Sequence, residues 1–301
     1  MRNHRSLLVP LDGSPLAELA LAPAMRLAMR DGAELHLVRA HQTVLSEDTV
    51  GGAEWEGWVR EEERQYLETA AQRARDAGVS RVVTALLGEP VATAICAHTH
   101  RVGADRIVMA THGRTGFSRV WFGSVADAVV RHASVPVLMV RAMENARGRS
   151  QPVRRVLVPL DGSSSAEAII PHALALAGPD RAEFILVRVV APVHVPAPSF
   201  AYAGGDVAPD AELIDQLVAS AESYVHEVVA RLRQGNESLE VEAIVHVNSQ
   251  PAAAILRVAD AQDVDLIAMS THGRGGTRLI VGSVADKILR GTSSSLLVCR
   301  A

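Results

Sequence analysis

The chain repeats itself, and no other feature constrains its architecture as strongly. Residues 7–14 read Leu-Leu-Val-Pro-Leu-Asp-Gly-Ser and residues 156–163 read Val-Leu-Val-Pro-Leu-Asp-Gly-Ser. Thr111-His-Gly-Arg114 returns as Thr271-His-Gly-Arg274, and Gly123-Ser-Val-Ala-Asp127 as Gly282-Ser-Val-Ala-Asp286. The apolar runs Val137–Arg141 and Leu296–Arg300 close each copy. Matching segments in a fixed order are the signature of a duplicated structural unit. A length of 301 residues also suits two domains of ~150 residues. The expected division is a first domain over 1–143, a linker over 144–152 and a second domain over 153–301, because Arg147-Gly-Arg-Ser-Gln-Pro152 is polar and rich in chain breakers.

Within each copy, short apolar runs alternate with helix-length amphipathic segments. In the first, strands are expected at Ser6–Leu11, Glu34–Ala40, Arg81–Leu87, Arg106–Thr111 and Val135–Val140. Helices are expected at Pro15–Arg30, capped by Ser14, and at Glu54–Ala77, Pro90–Arg101 and Ser124–His132. The second copy offers strands at Arg154–Leu160, Ala182–Val190, Leu239–Val247, Asp265–Ser270 and Ser294–Cys299. Uninterrupted apolar runs mark strands buried on both faces. The alternation predicts an α/β fold, in which each domain is an open five-stranded parallel sheet with helices on both faces. The segments His41–Ala53 and Ala191–Pro209 read as long surface loops, placed where they could cover the carboxyl ends of the strands.

Composition excludes several classes. With 48% apolar and 21% charged residues the chain is globular rather than disordered, and at 3% aromatic content its core must be aliphatic. A net charge of −4 gives no basic footprint for nucleic acid or an anionic membrane. Cys96 and Cys299 are too few for a disulfide framework or a cysteine zinc site, and they suit a reducing compartment. The first apolar run, Leu7–Leu11, is too short for a signal-peptide core. No stretch reaches the ~18 apolar residues of a membrane span. A soluble, cytoplasmic protein is expected.

In a doubly wound sheet, ligands bind outside the carboxyl ends of the strands, where the strand order reverses. Two features of each copy map there. One is the turn Asp12-Gly-Ser14, or Asp161-Gly-Ser163; the other is the glycine-rich stretch after the fourth strand, from Ala110 to Ser124 or Ser270 to Ser283. Gly113 and Gly123 clear space for backbone amides to approach a ligand, and Gly123-Ser124 opens a helix whose N–H groups and dipole favour an anion. A phosphate fits, with the Ser124 hydroxyl and Arg114 as further donors.

Other chemistries lack parts. Asp12 has no companion carboxylate or nucleophile, which favours a structural or ribose-binding role over a general base. His112 and His272 have no metal partner at ligand spacing, and His98 and His100 do not share a helix face. Trp121-Phe122 reads as packing, and Ser14 and Ser163 lack a hydrolase elbow. There is no Gly-x4-Gly-Lys-Ser/Thr P-loop, and no Gly-x-Gly-x2-Gly follows a first strand.

Taken together, Val-Pro-Leu-Asp-Gly-Ser, Thr-His-Gly-Arg and Gly-Ser-Val-Ala-Asp resemble the universal stress protein family, and the resemblance covers both halves. It implies two Rossmann-like, adenine nucleotide alpha hydrolase-like domains in tandem. The family's ATP-binding members carry Gly-x2-Gly-x9-Gly-Ser/Thr. Here Ala110 replaces the first glycine, followed by Gly113, nine residues, then Gly123-Ser124. The second copy has Ser270, Gly273, eight residues, then Gly282-Ser283. The added Cβ of Ala110 or Ser270 is expected to weaken nucleotide binding rather than abolish it. Gly275-Gly276 gives the shortened loop room to re-form.

By resemblance, the first ATP site comprises Pro10, Leu11, Asp12, Ala40, Met109, Ala110, His112, Gly113, Arg114, Gly123, Ser124 and Val125. The second comprises Pro159, Leu160, Asp161, Val189, Met269, Ser270, His272, Gly273, Arg274, Gly282, Ser283 and Val284. Ala40 and Val189 stand at the adenine-contacting position. Mg²⁺ would accompany ATP as a phosphate counter-ion, with no carboxylate assignable as its ligand. The leading expectation is an ATP-binding protein with a regulatory, stress-response role and an unidentified protein partner. A slow ATPase or nucleotidyl-transfer enzyme, and a scaffold with vestigial nucleotide sites, remain the alternatives. The resemblance also implies that the two halves pair within the chain through their last strands, and leaves open whether chains form a homodimer.

Overall fold

A computed structural model of the chain describes residues 5–43, 52–111, 123–141, 153–178, 182–192, 211–236, 239–271 and 281–300. The described residues gather into two compact units. In the first, the apolar runs form parallel strands β1 (Ser6–Pro10), β2 (Glu34–Ala40), β3 (Val82–Leu87), β4 (Arg106–Thr111) and β5 (Val137–Arg141), in the spatial order β3-β2-β1-β4-β5. The order reverses between β1 and β4. In the second unit, β6 (Arg155–Leu160), β7 (Glu183–Val190), β8 (Glu240–Val247) and β9 (Leu266–Ser270) run parallel in the order β9-β6-β7-β8, with the reversal between β6 and β9.

The last strand, β10 (Ser295–Cys299), belongs to the first unit. It runs antiparallel to β5, with Leu297 opposite Leu138.

Burial on both faces explains the unbroken apolar strands. Leu8, Val9, Leu35, Leu37 and Ile107 are fully buried in the first unit, and Leu157, Phe184, Ile185, Leu186 and Ile267 in the second. A carboxylate closes the amino end of each first strand: Asp105 Oδ2 accepts from the Ser6 N–H at 2.8 Å, and Asp265 Oδ2 from the Arg154 and Arg155 N–H groups at 2.9 Å.

The helices of the first unit are α1 (Leu21–Asp31), α2 (Gly52–Asp76), α3 (Val91–Val102) and α4 (Ser124–His132). Those that follow are α5 (Ser164–Glu167), α6 (Ile170–Ala177), α7 (Ala211–Gly235), α8 (Pro251–Ala261) and α9 (Ser283–Gly291). The single helix expected over Pro15–Arg30 is instead a 3₁₀ turn, Ala17–Ala20, followed by α1. The cause is Pro23 in the first turn of α1: its ring would meet the Leu19 carbonyl if one α-helix ran through, and it has no N–H to donate. Pro171 splits α5 from α6 in the same way.

Ser163 caps α5 as its N-cap residue, whereas Leu16 holds the N-cap position of the 3₁₀ turn and Ser14 binds its first N–H from two residues earlier. Ser14 Oγ accepts from the Ala17 N–H, and Ser163 Oγ from the Ala166 N–H, both at 3.1 Å. Ser163→Ala is expected to cost the second unit about 1 kcal/mol in a denaturant titration. An unchanged midpoint would mean the cap contributes nothing.

Each long helix is also clamped to the cap region by a Glu–Tyr–Arg set. Arg73 donates to Glu18 at 3.0 Å beside Tyr66; Tyr224 and Arg231 donate to Glu167 at 2.8 and 2.7 Å. The hydrogen bond from Arg73 holds the Glu18 carboxyl below its ordinary range, while burial and then Glu18 push the Tyr66 phenol up to about 12. Cys96 is half-buried and Cys299 buried, and neither is part of a disulfide. No helix among the described residues is long and apolar enough to cross a membrane.

Candidate functional site

A cavity opens at the strand-order reversal of each unit, at the carboxyl ends of the strands. The first, about 610 Å³, is walled by Pro10, Leu11 and Asp12 after β1, Ala40 at the end of β2, Met109 and Ala110 at the end of β4, and Gly123, Ser124 and Val125 at the start of α4. The second, about 270 Å³, is walled by Pro159, Leu160, Asp161, Val189, Met269, Ser270, Gly282, Ser283 and Val284. Every site residue expected from the sequence that falls among the described residues thus lines a cavity. His112, Gly113, Arg114, His272, Gly273 and Arg274 lie outside the described residues, as do Trp121, Phe122 and most of the two long loops.

The local geometry follows from the sequence. Gly13 and Gly162 adopt φ +86° and +82°, a left-handed turn in which a glycine carries no strain. That turn brings the Ser14 N–H to Asp12 Oδ1 at 2.8 Å and the Ser163 N–H to Asp161 Oδ1 at 2.9 Å. Each aspartate is therefore fixed at the cavity rim as an acceptor, which suits hydroxyl groups of a ligand better than proton abstraction.

Across each cavity stands a helix start. Gly123 and Gly282 occupy the N-cap positions of α4 and α9 and supply no side-chain cap, so the first-turn N–H groups remain for a ligand or water. The Gly282 N–H is spent on the Thr271 carbonyl at 2.9 Å, which ties the start of α9 to the end of β9.

Two arginines were missed by the sequence reading. Arg39 lines the first cavity and Arg188 the second, each one residue before the adenine-position residue. The available signal was an arginine near the carboxyl end of an otherwise apolar strand, present in both copies. Arg39 packs on the Gly13 backbone so closely that a Cβ there would lie 2.6 Å from its Nη1. Glu63, Gln42 and Val59 also line the first cavity and were not anticipated. Among the described residues, no group of three or more His, Cys, Asp or Glu side chains could hold a metal ion. His98 is buried, accepting from Arg101 at 2.6 Å on Nδ1.

Comparison with known proteins follows the same lines. One half of the chain is 35% identical over 141 residues to a universal stress protein of Mycobacterium tuberculosis, a match covering 46% of either protein. Over another 141-residue match, a universal stress protein of Methanocaldococcus jannaschii is 30% identical, with 46% of this chain and 82% of the relative covered. The crystal structure of a universal stress protein from Archaeoglobus fulgidus superposes with a TM-score of 0.69 at 20% identity, covering 99% of each chain, and so has the same fold. The model of the Universal stress protein family matches residues 3–141 and again 152–300. With a tandem match across nearly its whole length, the chain belongs to the universal stress protein family.

Proposed function

We propose that both cavities bind ATP and that the protein acts as a nucleotide-dependent regulator in the stress response. The observation that carries this reading is the duplicated arrangement: a fixed aspartate on one side of each cavity, an uncapped glycine–serine helix start on the other, and small residues at the strand ends between them. In this arrangement Asp12 and Asp161 accept from the ribose hydroxyls, Ala40 and Val189 meet the adenine, and the first-turn amides of α4 and α9, with the Ser124 and Ser283 hydroxyls, hold phosphate oxygens. His112, Gly113 and Arg114, with His272, Gly273 and Arg274, complete the two sites on the family pattern.

Mg²⁺ would be held chiefly through the phosphates, since no group of three or more His, Cys, Asp or Glu among the described residues could hold a metal ion. Coupling to a protein partner, in a single chain or a homodimer, requires that ATP and partner change each other's affinity by the same factor.

The smaller second cavity favours unequal sites. The test is to denature freshly purified protein and quantify the adenine nucleotide released per chain. About two ATP per chain is the expected result for two tight sites, and about one for a chain in which the first dominates. ADP would indicate slow hydrolysis. No nucleotide, and no binding of added ATP with Mg²⁺, would leave the scaffold reading.

A further inference from the structure

The first unit buries a group of charges that the arrangement shared by the two cavities does not need. His41, Glu56 and Glu63 are each more than nine-tenths buried. His41 Nε2 lies 2.7 Å from Glu56 Oε2, and its Nδ1 lies 2.8 Å from Glu63 Oε2. The other oxygen of Glu63 accepts from Arg39 Nε at 3.1 Å. The Arg39 guanidinium sits over the Tyr66 ring, 5.3 Å from its centre. Arg39 and Glu63 both form part of the first cavity's wall.

Glu56 and Glu63 of α2 stand against His41, with Arg39 of the preceding strand β2 and Tyr66 of α2 behind them. β3 presents only the Leu87 carbonyl, which accepts from the His41 backbone N–H at 2.8 Å.

The second repeat is an internal control. Matching Tyr66 with Tyr224 and Arg73 with Arg231 places Ile214 and Ala221 where Glu56 and Glu63 stand, and Val190 takes the place of His41. The arginine is kept: Arg188 donates to the Leu160 carbonyl at 3.4 Å. A repeat thus builds this fold with three apolar residues in place of the buried charges, as expected from the general finding that such replacements are often neutral or stabilising. The reason for the charges lies at the first cavity.

The imidazole bridges the two glutamates, so one oxygen of Glu63 is held by His41 and the other by Arg39. Removing the ring frees the first of these oxygens, loosens Glu63 and with it the Arg39 guanidinium at the cavity wall.

We infer that His41 is a positioning residue of the first cavity: it holds Glu63, and Glu63 holds Arg39 toward the ligand, a chain of contacts that the second repeat replaces with apolar residues. This rests on the reading that the cavities bind nucleotide.

The test uses the full-length chain with one cavity filled at a time. Val284→Trp leaves the first cavity and Val125→Trp the second. ATP with Mg²⁺ is titrated calorimetrically into each, beside a melting curve. The triple variant H41V/E56I/E63A, which copies the second repeat, should stay folded, lose about fivefold in ATP affinity at the first cavity and lose nothing at the second. In an R39L background the same triple substitution should cost no further affinity, because its effect runs through Arg39. An affinity at the first cavity that the triple substitution leaves unchanged overturns the inference, as does a loss that persists in the R39L background. An unmodified chain that binds no ATP overturns the nucleotide reading itself, and this inference with it.

Discussion

Acidification from neutrality to about pH 5 is expected to cost the first unit about 2 kcal/mol of stability, rising to about 3 kcal/mol by pH 4. The source is His98 on α3, which is 5% exposed and faces His36 of β2 with ring centres 5.9 Å apart. Burial, with Arg101 and His36 adding like charge, lowers His98 from its ordinary 6.5 to about 4. Burial also lowers His36, against a weaker opposing pull from Glu34. Between those values the unfolded chain binds a proton that the folded chain refuses, so stability is intact above about pH 6.5 and falls as pH falls.

Part of that window lies above the carboxylate range, which separates the effect from ordinary acid unfolding. The second repeat places Ile185 and Val258 at the equivalent positions, both buried, and should not show it. All three tryptophans, Trp55, Trp58 and Trp121, lie in the first repeat, so urea unfolding followed by tryptophan fluorescence reads that half alone. The double substitution H36I/H98V should flatten the stability profile between about pH 6.5 and about pH 5. A slope unchanged by it would assign the acid sensitivity elsewhere.

The second large effect concerns binding. On the proposed reading, Gly123→Ala should weaken ATP at the first cavity by about ten- to hundredfold, the equivalent of one or two charge-assisted hydrogen bonds lost at the helix start. The fold itself should not respond. Gly123 has φ −55°, which alanine adopts freely, and among the described residues beyond its chain neighbours no atom lies within 4 Å of the place its Cβ would take. A ligand drawn close to the backbone would meet that methyl group. Gly282 is a poorer probe, because a Cβ there already lies 3.4 Å from the Thr271 carbonyl oxygen. Calorimetric titration with a parallel melting curve decides the matter. Unchanged affinity in a folded variant would mean that no phosphate approaches the start of α4.

Much of the architecture was legible because burial on both faces leaves a simple trace: Leu7-Leu-Val-Pro and Val156-Leu-Val-Pro can be little else than inner strands. The cavity residues were legible for a different reason, namely that duplication singled out the segments around Asp12 and Gly123 as a pair of matched features. The splitting of the first helix was not foreseen because the apolar spacing of Pro15–Arg30 was followed past Pro23, which stands midway along it where a continuous α-helix cannot hold a proline. The His41–Glu56–Glu63 group was illegible for a physical reason. Glutamates seven apart on a long helix normally mark its solvent face, and only tertiary packing turned that stripe inward against β2. Arg39 escaped notice likewise, since an arginine near a strand end usually reaches water.

The placement of Ser295–Cys299 beside β5 has a consequence during synthesis. The edge of β5 receives this partner only after all the intervening residues have been translated, on the order of ten seconds or more at typical elongation rates. Until then, Val137–Arg141 leaves the ribosome as an apolar strand with one side unpaired, the kind of edge that invites a wrong strand or a chaperone. Order in the first repeat is thus completed by a strand of the second.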